Sequence, residues 1–279
     1  MCIAAVKYFY DIGWVGVKNR DRNYVPEINF EINKQGPIPR LLFHDDFTGY
    51  MEGLNVNGIG ILGTSLMNAD DEIEITRPST DNPDGEKIKS ALNEKTVEKV
   101  AQACIDEELT GCTFIFDMER CFLIEACIRD NKYIYDMEEI KKNKPTARTN
   151  HGIYLPWAGY QKGVTKKEDL SRESSESRLK QAMSVLKLAK TPQELIDGLT
   201  MQPNHKNSQM NALRMTQGAK KMRTTAQEMI IPIEQTFYLR PVQSKLEIDF
   251  WKINQDPTPL WVEILSNRTL YKKPKTGLD

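Results

Sequence analysis

The chain begins MCIAAVKYFYDIGWVGVKNRDRN over residues 1–23. Residues 2 to 9 and 14 to 19 are short apolar runs separated by Asp11-Ile12-Gly13, the pattern of two strands joined by a hairpin turn. The second run leads straight into Lys18-Asn19-Arg20-Asp21-Arg22-Asn23, a dense run of charge. Taken alone, such a run is either a solvated turn or a set of groups able to hold an amine and stabilise a thiolate.

Strand signals continue outward from this hairpin. Ile28 to Ile32 alternates apolar with polar residues, Ile38 to Phe43 is a shorter candidate, and Gly58 to Leu66 is apolar and glycine-containing, as a buried strand would be. Ile88, Leu92, Val97, Val100, Ala101 and Ile105 then recur at helical spacing, which predicts one helix stopped by Gly111. Thr113 to Phe116, Cys121 to Ile128 and Tyr133 to Tyr135 read as a meander. A second helix is predicted from about 176 to 189, and Pro192 opens a third through Leu195 and Leu199. Residues 236–240, 245–253 and 260–265 read as closing strands. With no Gly/Ser-rich linker, the order of elements predicts a single α+β domain over 1–279. Residues 199–227 hold no Asp or Glu but contain Lys206, Arg214, Lys220, Lys221 and Arg223. They read either as an anion-attracting loop or lid, or as a solvated mobile loop.

Composition narrows the function classes. The 279 residues carry 38 Lys plus Arg against 39 Asp plus Glu, a formal net charge of -1, so bulk electrostatics favours neither nucleic acid nor an anionic membrane. The longest uncharged stretch, Leu54 to Ala69, is interrupted by Asn and Gly and is too short to span a bilayer. The N-terminus lacks a basic n-region, so a cytoplasmic protein is expected. Cysteines stand at 2, 104, 112, 121 and 127 without a Cys-x-x-Cys, which fits free thiols better than disulfides or zinc.

Several residues could carry chemistry. Removal of Met1 would leave Cys2 with a thiol and a free α-amine, and the amine, with an intrinsic pKa of about 7.7 to 8, can serve as base for its own thiol. His44-Asp45-Asp46 could ligate a metal but also reads as a polar turn. His151 has no papain-like signature around a later cysteine. No glycine-rich phosphate loop is present. Tyr154, Trp157 and Tyr160 read as walls of an acyl pocket or as ordinary packing.

Three further segments change the weight of Cys2. Glu52-Gly53-Leu54-Asn55-Val56-Asn57-Gly58-Ile59-Gly60-Ile61-Leu62-Gly63-Thr64-Ser65 resembles the "D-G-x-N-E-x-G-L" strand of the choloylglycine hydrolase and penicillin V acylase family. Thr149-Asn150-His151 resembles the "T-N-H" turn of the acyl-coenzyme A:6-aminopenicillanic acid acyltransferase group, and Ser174-Ser175-Glu176-Ser177-Arg178 the "S-S-x-x-R" segment that follows it. Lys18 and Asp21 stand 16 and 19 residues after Cys2, where these N-terminal-nucleophile (Ntn) hydrolases place an Arg and an Asp. Weaker similarities run through 96–100, 114–125 and 235–247, so the resemblance covers nearly the whole chain in order.

The resemblance implies a four-layer αββα sandwich with two antiparallel sheets between helices. It implies a hydrolase or acyltransferase acting on a linear carbon-nitrogen amide bond of a small molecule, with no cofactor and no metal, and leaves assembly with further copies open. Cys2 would be the nucleophile, its α-amine the base, Asp21 the group orienting that amine, Asn150 the oxyanion donor and Arg178 an electrostatic support. Ser65 would contribute a backbone or hydroxyl contact to substrate, beside Tyr154 and Trp157. Position 18 departs from the pattern, because Lys cannot reproduce a bidentate guanidinium fork. Either Lys18 acts as a point charge, or activity is altered or lost. The alternative function is a noncatalytic binding or structural protein on the same fold.

Overall fold

A computed structural model describes residues 2–22, 28–33, 37–45, 48–66, 83–204, 207–214, 222–241, 251–253 and 275–276. The strands are β1 (Cys2–Phe9), β2 (Gly13–Arg22), β3 (Ile28–Asn33), β4 (Arg40–Asp45), β5 (Met51–Asn55) and β6 (Gly60–Thr64). They continue as β7 (Gly111–Phe116), β8 (Cys121–Arg129), β9 (Lys132–Glu139), β10 (Thr146–Arg148), β11 (Arg223–Ile231), β12 (Thr236–Pro241), β13 (Trp251–Ile253) and β14 (Lys275–Thr276). The helices are α1 (Pro83–Ala91), α2 (Val97–Asp106), α3 (Lys166–Leu188) and α4 (Pro192–Gly198).

The strands form a six-stranded sheet ordered β10-β1-β2-β11-β12-β13 and an eight-stranded sheet ordered β14-β3-β4-β5-β6-β7-β8-β9. Pairing is antiparallel throughout except between β14 and β3. The β1–β2 hairpin closes from Cys2 opposite Arg20 to Phe9 opposite Gly13. Gly13 has φ +88°, and a Cβ there would lie 2.3 Å from Met118 O, so the turn needs glycine twice over.

Strand alternation sorts side chains into three apolar layers. Ala4, Val6 and Trp14 join Leu41, Phe43, Leu62, Phe114 and Ile230 between the two sheets. Ile3, Ala5, Val15 and Val17 point the other way and meet Ala182, Leu186, Leu195 and Ile196 of α3 and α4. On the far side of the larger sheet, Leu42, Ile61 and Ile115 pack under Ile88, Leu92, Val97 and Val100 of α1 and α2. The layers therefore run helix, sheet, sheet, helix. No helix of the described residues is long and apolar enough to cross a membrane.

Three elements depart from the sequence expectation. The helix predicted through 88–105 is two helices. Thr96 Oγ1 caps α2 by accepting from Lys99 N at 3.4 Å, and Asn55 Nδ2 donates to Leu92 O and Glu94 O at 3.1 and 3.0 Å, pinning the turn between them. Apolar spacing crosses the break because both helices bury the same side against one sheet. Helix α3 starts at Lys166, ten residues before the expected 176, with Thr165 Oγ1 accepting from Glu168 N at 3.1 Å. Its first turns bury Glu168, Ser174, Ser175 and Arg178 rather than apolar residues, so no hydrophobic period marks them. The basic 199–227 stretch is not a loop along its whole length, since from Arg223 it forms β11, paired to β2 on one side and β12 on the other. Within it, Arg214 is fully buried. Of the closing strands expected at 245–253 and 260–265, only Trp251–Ile253 falls among the described residues.

Candidate active site

β2 runs unbroken to Arg22, so alternation holds through the charged run. Lys18, Arg20 and Arg22 point between the sheets. Asn19 and Asp21 point toward the helices, where Asn19 Nδ2 donates to Leu199 O and Ala212 O at 3.2 and 2.8 Å. Cys2 begins β1 opposite Arg20 and shares the inter-sheet face with Ala4 and Val6.

Five of the expected site residues converge. Cys2 N donates to Asn150 Oδ1 at 3.1 Å. Arg178 Nη1 donates to Cys2 O at 3.0 Å and lies 3.5 Å from Asp21 Oδ2, and its Nη2 donates to Asn150 Oδ1 at 3.1 Å. Asn150 Nδ2 donates to Ser65 O at 3.0 Å and reaches Ser65 Oγ at 3.4 Å. This pattern fixes the orientation of the Asn150 amide, since guanidinium is only a donor and the Ser65 carbonyl only an acceptor. Asp21 is further held by Thr224 Oγ1, which donates to Oδ1 at 2.7 Å, and by Arg214 Nη1 at 3.5 Å. Sequence inspection missed Thr224 and Arg214. Arg214 lay in a stretch read as loop, and Thr224 carried no signal.

On the inter-sheet face the cations meet carboxylates from the other strands. Lys18 Nζ ion-pairs with Glu52 and lies 4.9 Å from the centre of the Tyr50 ring. Arg20 pairs with Glu52 and, at 2.6 Å, with Glu228 Oε1. Arg22 Nε donates to Asp45 Oδ2 at 2.8 Å, while its Nη1 donates to Asp21 O at 2.9 Å and to Cys2 Sγ at 3.4 Å. Asp45 thus serves as an ion-pair partner on the site wall.

These charges decide the state of the thiol. Burial alone pushes the Cys2 thiol up, but Lys18, then the N-terminal ammonium, then Arg22 and Arg20 overcome it and bring the thiol down to about 6. Burial brings the Lys18 ammonium down to about 7, with the Cys2 thiolate opposing that change. Cys104 shows the contrast, since burial without nearby cations pushes it up to about 12, and Cys112 and Cys121 also rise, chiefly through burial. Of these buried thiols, only Cys2 is set up to ionise near neutrality.

A second ring of hydrogen bonds fixes Asn150 in place. Asn150 N donates to Ser175 Oγ at 3.0 Å, Ser175 Oγ donates to Thr149 Oγ1 at 2.8 Å, and His151 Nδ1 lies 2.8 Å from Ser175 Oγ. Thr64 Oγ1 donates to Thr149 O at 2.8 Å, tying the turn to β6. Burial, with Arg172 adding to it, lowers the His151 imidazole to about 4, so the ring is neutral at physiological pH. The Glu125 carboxylate accepts from Ile153 N and Leu155 N at 2.8 and 2.7 Å, which shapes the chain just after Asn150.

The aromatic candidates divide. Trp157, with Arg129 stacked 4.9 Å over its ring, lines a pocket of about 540 Å³ with Leu66, Cys127, Ile128, Ala158 and Val164. Of the lining residues, Leu66 follows Ser65 in the chain and Gly159 bridges to His151. Tyr154 is not a wall of this pocket. Its hydroxyl donates to Glu138 and its ring stacks with Arg148 at 4.7 Å, which makes it a packing residue. Tyr160 is fully buried.

No family model and no curated protein matches the sequence. Solved structures do match. Penicillin V acylase from Agrobacterium tumefaciens aligns with a TM-score of 0.54 at 13% identity, covering 91% of this chain and 86% of that one. Two variants of the conjugated bile acid hydrolase from Clostridium perfringens align with TM-scores of 0.51 and 0.54 at 12% and 13% identity, each covering 99% of this chain and 98% of that one. The chain has the fold of penicillin V acylase and conjugated bile acid hydrolase, as the ordered motifs implied.

Proposed function

We propose that the protein is a cysteine Ntn hydrolase that cleaves, or transfers the acyl group from, a linear carbon-nitrogen amide bond of a small molecule. The observation that supports this best is the pairing of two features at one residue. Cys2 has a thiol pulled down to about 6, and its own backbone N and O are gripped by Asn150 and Arg178.

Removal of Met1 would free the Cys2 α-amine. The amine takes the thiol proton, Cys2 Sγ adds to the amide carbonyl carbon, and a tetrahedral oxyanion forms. Asn150 Nδ2, which donates to Ser65 O and reaches Ser65 Oγ, would turn the hydrogen of the longer Ser65 Oγ contact toward that oxyanion. The carbon-nitrogen bond then breaks as the ammonium returns its proton to the leaving amine, giving a thioester. Water completes hydrolysis, and an acceptor amine completes acyl transfer instead. Asp21, clamped by Arg178, Arg214 and Thr224, keeps the amine oriented. The pocket lined by Trp157 and Leu66 receives the apolar part of the substrate.

The test is amine release from a panel of N-acyl amides by the parent and by Cys2→Ser, with hydroxylamine added as a competing acceptor. The expected result is amine release by the parent, a hydroxamate in the presence of hydroxylamine, and neither from Cys2→Ser. Cleavage by Cys2→Ser at the parental rate would overturn the proposal. Binding of an amide without turnover by the Met1-processed parent would favour the noncatalytic alternative.

A further inference from the structure

We propose that Arg22 is the cation that holds the Cys2 thiolate, doing from the end of β2 what the motif resemblance assigns to position 18. This rests on Cys2 being the nucleophile.

The register of β2 makes it physically reasonable. Positions 18, 20 and 22 share the inter-sheet face, but they sit at increasing distance from the turn and have different neighbours. Lys18 lies across from Ala4 and is drawn to Glu52 on β5 and to the Tyr50 ring. Arg20 is committed to Glu52 and Glu228, with Asp45 at 3.9 Å and the Phe43 ring at 4.6 Å. Arg22 is the one whose N–H is aimed at Sγ, at 3.4 Å. Its fork is fixed on three points, with Asp45 Oδ2 below and Asp21 O and Cys2 Sγ sharing Nη1.

Exposure separates the three cations as well. The Arg22 side chain is 11% exposed, against 1% for Lys18 and 0% for Arg20. Cys2 is 5% exposed. Arg22 is therefore the most solvent-accessible of the three cations, while Lys18 and Arg20 are buried. A guanidinium also keeps its charge at any physiological pH, whereas burial brings Lys18 down to about 7. Lys18 pulls on the thiol through space, and Arg22 does so through space and by contact.

The charged groups acting on the thiol are Lys18, Arg20 and Arg22 from β2 and the N-terminal ammonium, with Tyr50 and Arg178 also coupled to it; Glu52, Glu228 and Asp45 face the β2 cations. The test is the pH dependence of iodoacetamide labelling at Cys2, located by peptide mapping, in the parent, Arg22→Met, Arg22→Lys and Lys18→Met. Asp45 stays near Arg20 when Arg22 is removed, so the fold should survive, and circular dichroism checks this. The Arg22→Met midpoint should rise by about one to two pH units, as for loss of one adjacent charge. Arg22→Lys should fall between it and the parent, and Lys18→Met should raise the midpoint as well, because Lys18 is the strongest through-space cation on the thiol. An Arg22→Met curve that superimposes on the parent overturns the proposal. If Arg22→Met fails to fold, Arg22→Lys decides, because an unshifted curve there excludes a contact role. A parent thiol titrating at the ordinary value of about 8.5 would sink the nucleophile reading itself, which is a distinguishable outcome.

Discussion

The two faces of β2 solve different problems with the same residue types. Between the sheets, Lys18, Arg20 and Arg22 are matched by Glu52, Glu228 and Asp45, and what this face controls is the charge state of the Cys2 sulfur. Toward the helices, Asp21 is gripped by Arg178, Arg214 and Thr224, and what this face controls is where the backbone of Cys2 and the amide of Asn150 sit. A strand places alternate residues on opposite faces, so a six-residue charged run can supply reactivity to one side and position to the other. The ion pairs on both faces are buried, so removing one partner costs far more than such a pair contributes on a surface.

The largest expected effect lies on the inter-sheet side. Cys2→Ser should lower turnover by a factor on the order of 10⁴ to 10⁶, as removal of a nucleophile does elsewhere, with an unchanged thermal midpoint. Loss of structure in this variant would mean that the thiol is a packing residue. On the positioning side, Asn150→Ala should cost on the order of 10² to 10³ in kcat, the usual effect of losing one oxyanion donor. The labelling midpoint of Cys2 should stay near that of the parent. A large shift in that midpoint would show that the two faces are not separable.

Asp21→Asn should lower stability as well as turnover. It leaves the Arg178 and Arg214 guanidinium groups buried without their shared carboxylate, a loss of about 3–5 kcal/mol, read by urea denaturation. A change under about 1 kcal/mol, the ordinary value of an exposed pair, would mean that solvent reaches the helix-side face. His151 gives the smallest effect. Its folded pKa of about 4 lies below the unfolded value of about 6.5, so the unfolded chain takes up a proton that the native ring refuses. Stability should therefore decline as pH falls from about 6.5 to about 4, and His151→Gln should flatten that part of the profile. An identical slope in both proteins would place the acid sensitivity elsewhere.

The hairpin was legible because its signals are local. Apolar runs, a turn glycine and the spacing from Cys2 to Asp21 all lie within 23 residues. Asn150, Arg178 and Ser65 were legible only through motif resemblance, since no periodicity links residues so far apart. The partners that complete the site were mostly silent. Glu52 was quoted only as part of a strand motif, Asp45 was weighed as a metal ligand or turn residue, and Glu228 and Thr224 belong to a strand partly read as basic loop. Their signal was hidden for one physical reason. A buried polar face breaks the apolar alternation by which strands are found, and α3 lost its first ten residues to the same effect. Of the two readings open for Tyr154, pocket wall or packing, its contacts with Glu138 and Arg148 fit packing.

The most direct test is an intact-mass and peptide-mapping measurement on the purified protein after brief iodoacetamide treatment at pH 7. The result predicted here is a chain lacking Met1 and carrying a carbamidomethyl group on Cys2, with Cys104, Cys112 and Cys121 unmodified because burial holds their thiols protonated. A chain that keeps Met1 in full, or a Cys2 no more reactive than the buried cysteines, would contradict an N-terminal nucleophile.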